Sequence, residues 1–239
     1  MQPGYDRLAA QYSEAFPDAF RTPLERHAVE AFADQVALSG LTGPVVDVGC
    51  GTGHVTAALA DRGLPVIGVD PSEAMLEIAR AAHPGVTFVN GTADPRTWDA
   101  ALADGLADAA AGGAPGGEVR PAAVLARYSL IHVTPDRVPG IVRSWAERLP
   151  VGGLVLTAFQ SVDGGRAVVS FDHAVAPAWR WHPEVMADHV LYAGLTEQWR
   201  ILSRPDTEHR FPECHVLAAK ESEETPAIPV SRGCAPEGC

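Results

Sequence analysis

Three glycines at alternate positions, Gly49, Gly51 and Gly53, directly follow a short apolar segment at residues 45–48. Glycine allows a turn to adopt positive φ and lets the backbone come close to a ligand, and open α/β sheets bind ligands at the carboxyl ends of their strands. A dinucleotide fingerprint would need its third glycine at position 54, which holds His54. The segment therefore predicts a ligand-binding turn without dinucleotide spacing. The predicted contacts in this turn are Gly49, Cys50, Gly51 and Gly53.

The carboxylate of Asp47, just ahead of the turn, distinguishes between two nucleotide-derived ligands. It would repel the pyrophosphate of a dinucleotide, whereas it would attract the cationic amino group of S-adenosylmethionine, whose sulfonium adds positive charge. The charge of this residue therefore favours S-adenosylmethionine over NAD as the cofactor.

A second acidic residue, Asp70, ends the next apolar segment, 17 residues after the last glycine of the turn. A carboxylate in this place can accept hydrogen bonds from both ribose hydroxyls, as it also does in dinucleotide enzymes. Pro71 and Met75 follow where they would border an adenine, and Thr92 and Ala93 follow the third apolar segment, where they could hold the adenine edge. These residues predict an adenosine-containing ligand.

Apolar strands and helices alternate along the chain, and this alternation must position the glycines and the acidic residues. Strands are predicted at 44–48, 65–70, 86–90, 122–126, 154–159, 197–203 and 213–219. Helices are predicted at 54–62, 72–82, 97–109, 137–149 and 183–193, after an N-terminal helical stretch at 5–38 that Pro17 and Pro23 interrupt. The alternation predicts a parallel sheet with helices on both faces.

The 239 residues suffice for one α/β domain, which we expect to span residues 1–220. A glycine-rich loop is predicted at 111–117. Residues 221–239 are polar, with no helix or strand period, and are predicted to form a disordered tail. Cys234 and Cys239 in this tail could bind metal or form a redox pair, but two thiols without further ligands favour a plain tail.

The net charge of −12 opposes binding to nucleic acid and to anionic membranes. No apolar segment approaches the ~20 residues of a membrane span, and the N-terminus lacks the pattern of a signal peptide. We therefore expect a cytoplasmic protein with a small-molecule partner. Its four cysteines would be reduced thiols, and its oligomeric state is left open.

Residues 5–220 resemble the class I S-adenosylmethionine-dependent methyltransferases of the bacterial small-molecule type. Residues 45–53 match the first motif of that family, residues 66–70 match the second with its acidic residue, and residues 90–93 resemble the third, where many members carry Asp in place of Thr92. The resemblance implies a Rossmann-like, seven-stranded, mostly parallel sheet with helices on both faces and the last strand antiparallel.

The resemblance also implies roles for residues outside the glycine turn. Residues 5–12 are similar to the family's opening helix, so that the helices at 5–38 would form a lid and Tyr12 would cover the methionine part of the cofactor. Residues 127–132 resemble the segment after the fourth strand, in which Arg127 would touch the same part of the cofactor and His132 would face the reaction cleft.

Candidates on the acceptor side are fewer. Histidine suits proton removal near neutral pH, so His132 is the candidate general base, with a structural histidine bonded to a loop carbonyl as the alternative. An aromatic, histidine-bearing segment at 160–182 could line a pocket for a planar or apolar substrate, or could pack beneath a long loop. Its candidates are Gln160, Phe171, His173, Trp179, Trp181 and His182. No metal-ligand spacing is present, since the two histidines of this segment lack a nearby Cys or carboxylate partner.

Three functions fit these patterns. A methyltransferase acting on a small molecule is favoured. A binding protein or non-methylating catalyst that keeps the cofactor site is the alternative, because the motifs concern binding rather than transfer. A nucleotide-dependent oxidoreductase would need NAD, which Asp47 and His54 oppose.

Overall fold

The computed structural model describes residues 3–102, 120–165, 168–207 and 209–223. Seven strands form the central sheet: β1 (Val45–Val48), β2 (Val66–Asp70), β3 (Thr87–Asn90), β4 (Ala123–Arg127), β5 (Leu154–Gln160), β8 (Leu195–Leu202) and β9 (Glu213–Lys220). A separate two-stranded sheet pairs β6 (Val168–Phe171) with β7 (Ala178–Trp181).

The central sheet has the strand order β3-β2-β1-β4-β5-β9-β8. Strands β1 to β5 pair in parallel, whereas β9 runs antiparallel to both of its neighbours, β5 and β8. The predicted seven-stranded, mostly parallel sheet with an antiparallel last strand is confirmed. Because the parallel strands all end at one edge, the residues that follow β1, β2 and β4 are brought together there.

Helices cover both faces of the sheet, and this is why β1 is buried along its length and β4 is buried up to Ala126. The helices are α1 (Pro3–Ala15), α2 (Pro23–Ser39), α3 (His54–Asp61), α4 (Glu73–Ala82), α5 (Val138–Arg148) and α6 (Pro183–Tyr192). Short 3₁₀ turns occupy Pro95–Thr97 and Leu130–His132. One core cluster packs Phe32 and Val36 of α2 against the sheet, and a larger one on the other face includes Trp145 and Trp181.

The N-terminal helical stretch breaks at residues 16–22, a break that contains Pro17 and ends at Pro23, the two prolines that predicted the interruption. Thr22 begins α2 as its N-cap, with its hydroxyl oxygen accepting a hydrogen bond from the Glu25 amide at 3.1 Å. The first helix, α1, lies against α4, where the Ser72 hydroxyl donates to Asp6 at 2.7 Å. Helix α1 is therefore held over the edge of the sheet at which β1 and β2 end.

Four expectations from the sequence need correction or lie wholly or partly outside the described residues. The segment 160–182 is not a single loop, since it contains the β6–β7 hairpin. The predicted helix at 97–109 begins at residue 99 and is described to residue 102. Its remainder, the glycine-rich loop at 111–117 and the tail from 224 onward lie outside the described residues. Within the described ranges, no helix is both long enough and apolar enough to cross a membrane.

Candidate functional site

A cavity of about 690 Å³ opens at the carboxyl ends of β1, β2 and β4. Helix α1 and the loop between β6 and β7 contribute its far wall, through Tyr5, Tyr12 and His173. The predicted base His132 lines it. Every predicted cofactor contact except Gly53 lines it as well: Tyr12, Asp47, Gly49, Cys50, Gly51, Asp70, Pro71, Met75, Thr92, Ala93 and Arg127.

The glycines of the turn have different structural roles. At Gly51, with φ +54°, a Cβ would meet no atom within 4 Å, so the backbone there borders open space. At Gly53, with φ +79°, a Cβ would lie 2.5 Å from the ring of Phe88. Gly53 therefore lies away from the cavity, and its glycine allows α3 to begin close to β3.

Asp70 holds the glycine turn in place. One carboxylate oxygen accepts a hydrogen bond from the Gly51 amide, and the other accepts one from the Ser72 amide, both at 2.9 Å. The side chain is buried, and this burial raises the pKa of Asp70 despite the two amide donors. Asp70 thus connects the turn after β1 to the end of β2.

Asp47 lies on β1, just ahead of the glycine turn, and its side chain is buried. The hydroxyl of Thr56 donates to its Oδ2 at 2.6 Å. Burial raises the pKa of Asp47 to about 6, with the Thr56 hydrogen bond and the charge of Arg127 opposing the rise. A buried carboxylate with a raised pKa is stabilised by any cation placed beside it.

His132 is fixed by two partners. Its Nδ1 lies 3.0 Å from the carbonyl oxygen of Pro177, and its Nε2 lies 2.9 Å from the hydroxyl of Tyr5. Because a carbonyl only accepts, Nδ1 carries the proton, and Nε2 accepts the hydrogen bond that Tyr5 donates. Burial lowers the pKa of His132, so the ring is a neutral base. The contact with a loop carbonyl, posed as the alternative to catalysis, is present, and Nε2 is bonded to Tyr5, a residue that also lines the cavity.

An ion cluster that the sequence did not reveal flanks Arg127. Arg21 donates to Glu25 at 2.7 Å and to Glu213 at 2.6 Å, and the guanidinium of Arg127 lies 3.3 Å from Glu25. The Tyr128 hydroxyl contacts the same two carboxylates at 3.0 and 2.8 Å. Arg21 and Glu25 are close in sequence, but Arg127, Tyr128 and Glu213 come from in and after β4 and from β9, so spacing along the chain could not connect the whole cluster.

Tyr128 has φ 53°, a left-handed conformation that costs a non-glycine residue free energy. Its hydroxyl lies within hydrogen-bond distance of Glu25 and Glu213 and donates its single hydrogen to one of these carboxylates, and this contact holds the residue there. The strained residue lies between Arg127 and Ser129, both of which line the cavity.

The adenine-edge residues are partly engaged with the protein itself. The amide of Thr92 donates to the Thr97 hydroxyl at 2.9 Å, and the carbonyl of Ala93 accepts from the indole of Trp145 at 2.8 Å. Asp94 also lines the cavity, where it is paired with Arg96. Many family members carry Asp at the position of Thr92. This chain instead has an acidic residue, Asp94, two positions later.

The candidates of segment 160–182 divide into two groups. Gln160 and His173 line the cavity. The rest lie elsewhere. Trp181 is fully buried in the core, and Trp179 packs against that core. The ring of Phe171 contacts His173 edge to face. His182 instead caps α6, with its Nδ1 accepting from the Glu184 amide at 3.2 Å. Of the six candidates, two therefore remain predicted substrate contacts by their position in the cavity.

Cys50 is partly buried, and desolvation raises the pKa of its thiol well above the usual range, so Cys50 is a small residue of the turn without thiolate character. Across the described part of the chain, no group of three His, Cys, Asp or Glu side chains is placed to hold a metal ion.

Comparisons with known proteins agree on one class. A family model described as a methyltransferase domain matches residues 45–112. The trans-aconitate 2-methyltransferase of Methylobacterium radiotolerans is 40% identical over 84 residues, which are 34% of this chain and 32% of that protein. The matches to curated relatives span only about a fifth to a third of the length of those proteins.

Solved structures extend the similarity to the whole fold. The 1,6-didemethyltoxoflavin-N1-methyltransferase of Burkholderia thailandensis, solved with S-adenosylhomocysteine, superposes with a TM-score of 0.59 at 18% identity, over 93% of this chain and 91% of that one. The [4+2]-cyclase SpnF superposes with a TM-score of 0.64 at 16% identity, over 92% and 95%. At these identities the likeness concerns the fold.

Proposed function

Because the chain is built as a class I S-adenosylmethionine-dependent methyltransferase, with the fold of that class and its domain signature over residues 45–112, we propose that it methylates a small molecule and releases S-adenosylhomocysteine. One observation carries this proposal. An open glycine turn lies between two buried carboxylates, Asp47 and Asp70, on the adjacent parallel strands β1 and β2.

The residues present fit S-adenosylmethionine. Asp47 would face the cationic amino group, since its buried carboxylate gains most from a positive partner. Asp70 would accept the ribose hydroxyls on lone pairs that Gly51 and Ser72 leave free. Gly49, Cys50 and Gly51 would present the backbone of the turn to the ligand.

The remaining predicted contacts would enclose the two ends of the cofactor. Pro71, Met75 and Ala93 would border the adenine, and Thr92 would contribute its side chain, since its amide is already bonded. Tyr12 on α1 would cover the methionine part, on the side where Arg127 is held by Glu25.

When bound, S-adenosylmethionine supplies a methyl group on a positively charged sulfur, which keeps the electron pair of the carbon–sulfur bond as the acceptor takes the methyl group. The chain supplies alignment, which accounts for much of the rate in such displacements, and a proton acceptor. His132 would take the acceptor's proton on Nε2, the atom that now accepts from Tyr5. An acceptor hydroxyl or amine would take the place of the Tyr5 hydroxyl, and the Pro177 carbonyl would hold the ring throughout.

The test begins with calorimetric titration of the purified chain with S-adenosylmethionine, S-adenosylhomocysteine and NAD. We expect micromolar binding of the first two ligands and none of NAD. An acceptor screen then follows release of S-adenosylhomocysteine. Binding of NAD alone would overturn the proposal.

A non-methylating catalyst is the second candidate, and the similarity to the [4+2]-cyclase supports it. Both candidates predict cofactor binding, so the acceptor screen separates them. Conversion of an acceptor without release of S-adenosylhomocysteine would favour the second.

A further inference from the structure

A continuous series of aromatic rings forms one wall of the cavity. Phe16, Tyr12 and Tyr5 follow one another on and after α1, with ring centroids 4.7 and 5.9 Å apart. Tyr5 then contacts His132 at 5.4 Å, and His132 contacts His173 at 4.7 Å. We call these five residues the aromatic wall. All five line the cavity.

The rings of the wall meet mostly edge to face, at interplanar angles of 74° to 79° for three of the four contacts. Such contacts leave ring faces available for a further planar group, which aromatic side chains bind in stacked or edge-on geometry. The wall therefore offers a surface for a flat molecule beside Nε2 of His132.

The charges around the cavity oppose an anionic acceptor. Two of its arginines, Arg21 and Arg127, are paired with Glu25, and Arg21 also with Glu213. The third, Arg137, is exposed. Five further carboxylates line the cavity, of which Asp94 is paired with Arg96, and Asp47 and Asp70 belong to the proposed cofactor site: Asp18, Asp47, Asp70, Asp94 and Asp172. A carboxylate brought into this space would meet like charges and lose its water without a buried cation to replace it.

We propose that the acceptor is a planar aromatic molecule that is uncharged or cationic where it enters the cavity, and that the site selects against acceptors bearing a carboxylate. This inference rests on the proposed methyl transfer and narrows its substrate class. It also predicts that this chain does not accept trans-aconitate, the tricarboxylate for which some matched relatives are named. The sequence match with those relatives is confined to about a third of the chain.

The first experiment compares probes that differ in one group. The full chain, saturated with S-adenosylhomocysteine, is titrated with 3,4-dihydroxybenzyl alcohol, 3,4-dihydroxybenzylamine and 3,4-dihydroxybenzoate, and with trans-aconitate. We expect the alcohol and the amine to bind at least about tenfold more tightly than the benzoate, and trans-aconitate not to bind. Equal or tighter binding of either carboxylate would overturn the charge selection, and failure of all three aromatic probes would overturn the aromatic wall.

A second experiment tests the charge directly with Asp172→Lys, a change at an exposed residue of the loop between β6 and β7. The affinity for the benzoate should rise at least about threefold relative to the alcohol. Asp163→Lys is the matched control, because Asp163 is exposed and does not line the cavity, and it should leave the ratio unchanged. An equal change in both variants would contradict the proposal.

The same titrations separate this inference from the proposed function. If S-adenosylhomocysteine does not bind, the proposed function fails, and the order of the probes is still measured on the free protein. If S-adenosylhomocysteine binds and the benzoate is preferred, only the inference about the acceptor fails.

Discussion

At the scale of single residues, Asp70 has two tasks, because it holds the glycine turn through Gly51 and is proposed to bind the ribose. Asp70→Ala should weaken binding of S-adenosylhomocysteine by roughly 1.5–3 kcal/mol, the scale of hydrogen bonds to a charged group. Calorimetry measures this, with Asp163→Ala as a control that should bind normally. Unchanged affinity in a folded Asp70→Ala variant would refute the assignment.

The buried carboxylate of Asp47 lowers the stability of the ligand-free fold, and the same carboxylate is proposed to bind the cofactor. Burial raises its pKa from an ordinary value near 4 to about 6. Its carboxylate therefore costs the ligand-free fold almost nothing below about pH 4, and this cost grows as the pH rises from about 4 to about 6 and stays constant above that. Asp47→Asn should raise the free energy of unfolding at pH 7.5 by about 1–3 kcal/mol and should abolish most cofactor affinity.

Thermal unfolding at pH 4 and pH 7.5, with and without S-adenosylhomocysteine, measures both effects of Asp47→Asn. The gain in stability should be confined to the higher pH. A variant that is destabilised at pH 7.5, or that binds as tightly as the natural sequence, would contradict the role of Asp47.

His132 and Tyr5 share one hydrogen bond but have different expected roles. His132→Ala should lower the rate of methyl transfer by about 10²–10⁴, the usual contribution of a general base, with little change in cofactor affinity. Tyr5→Phe keeps the ring and should retain at least about a third of the activity. Release of S-adenosylhomocysteine, with an acceptor found in the screen, is the assay. Similar losses in both variants would point to a structural role for the pair.

At the scale of elements, helix α1 extends from the proposed cofactor site to the proposed acceptor site. Gly4 allows this helix to lie close to the loop between β6 and β7. A Cβ at Gly4 would lie 2.0 Å from the carbonyl oxygen of Val175, in the loop between β6 and β7. Gly4→Ala should push α1 away from this loop, lower the affinity for the aromatic probes about threefold to tenfold, and leave the unfolding temperature nearly unchanged.

Gly140→Ala is the matched control for this effect, because Gly140 lies in α5, where a Cβ would meet no atom within 4 Å. It should stabilise the fold by about 0.5–1 kcal/mol and leave probe binding unaltered. Normal probe binding in Gly4→Ala would mean that the contact between α1 and the loop does not shape the acceptor site.

The elements also show what a sequence can predict. The buried strands β1 to β5 and the glycine turn have local patterns, and their carboxyl ends must meet at one edge, so Asp47 and Asp70 could be paired from the sequence. The β6–β7 hairpin is partly exposed on both strands and lacks a clear alternation. The contacts of Glu25 with Arg127 and Tyr128 span over 100 residues, and only tertiary packing creates them.

At the scale of the whole molecule, the net charge of −12 and the acidic cavity act on two ligands that differ by one charge. S-adenosylmethionine carries a sulfonium that S-adenosylhomocysteine lacks. Raising the ionic strength from about 0.05 to about 0.5 M should therefore weaken the first ligand about twofold to threefold more than the second. Calorimetry at several salt concentrations measures the ratio, and parallel curves would contradict an electrostatic preference.

Helix α1 is fastened at two points, through Asp6 to Ser72 beside the proposed cofactor site and through Tyr5 to His132 beside the acceptor site. The two proposed reactants would share the cavity beneath it, so we expect this helix to detach and reattach in every turnover. We expect the departure of S-adenosylhomocysteine to be slower than the chemical step. A rapid first turnover would then precede a slower steady state, and its amplitude would count the active sites.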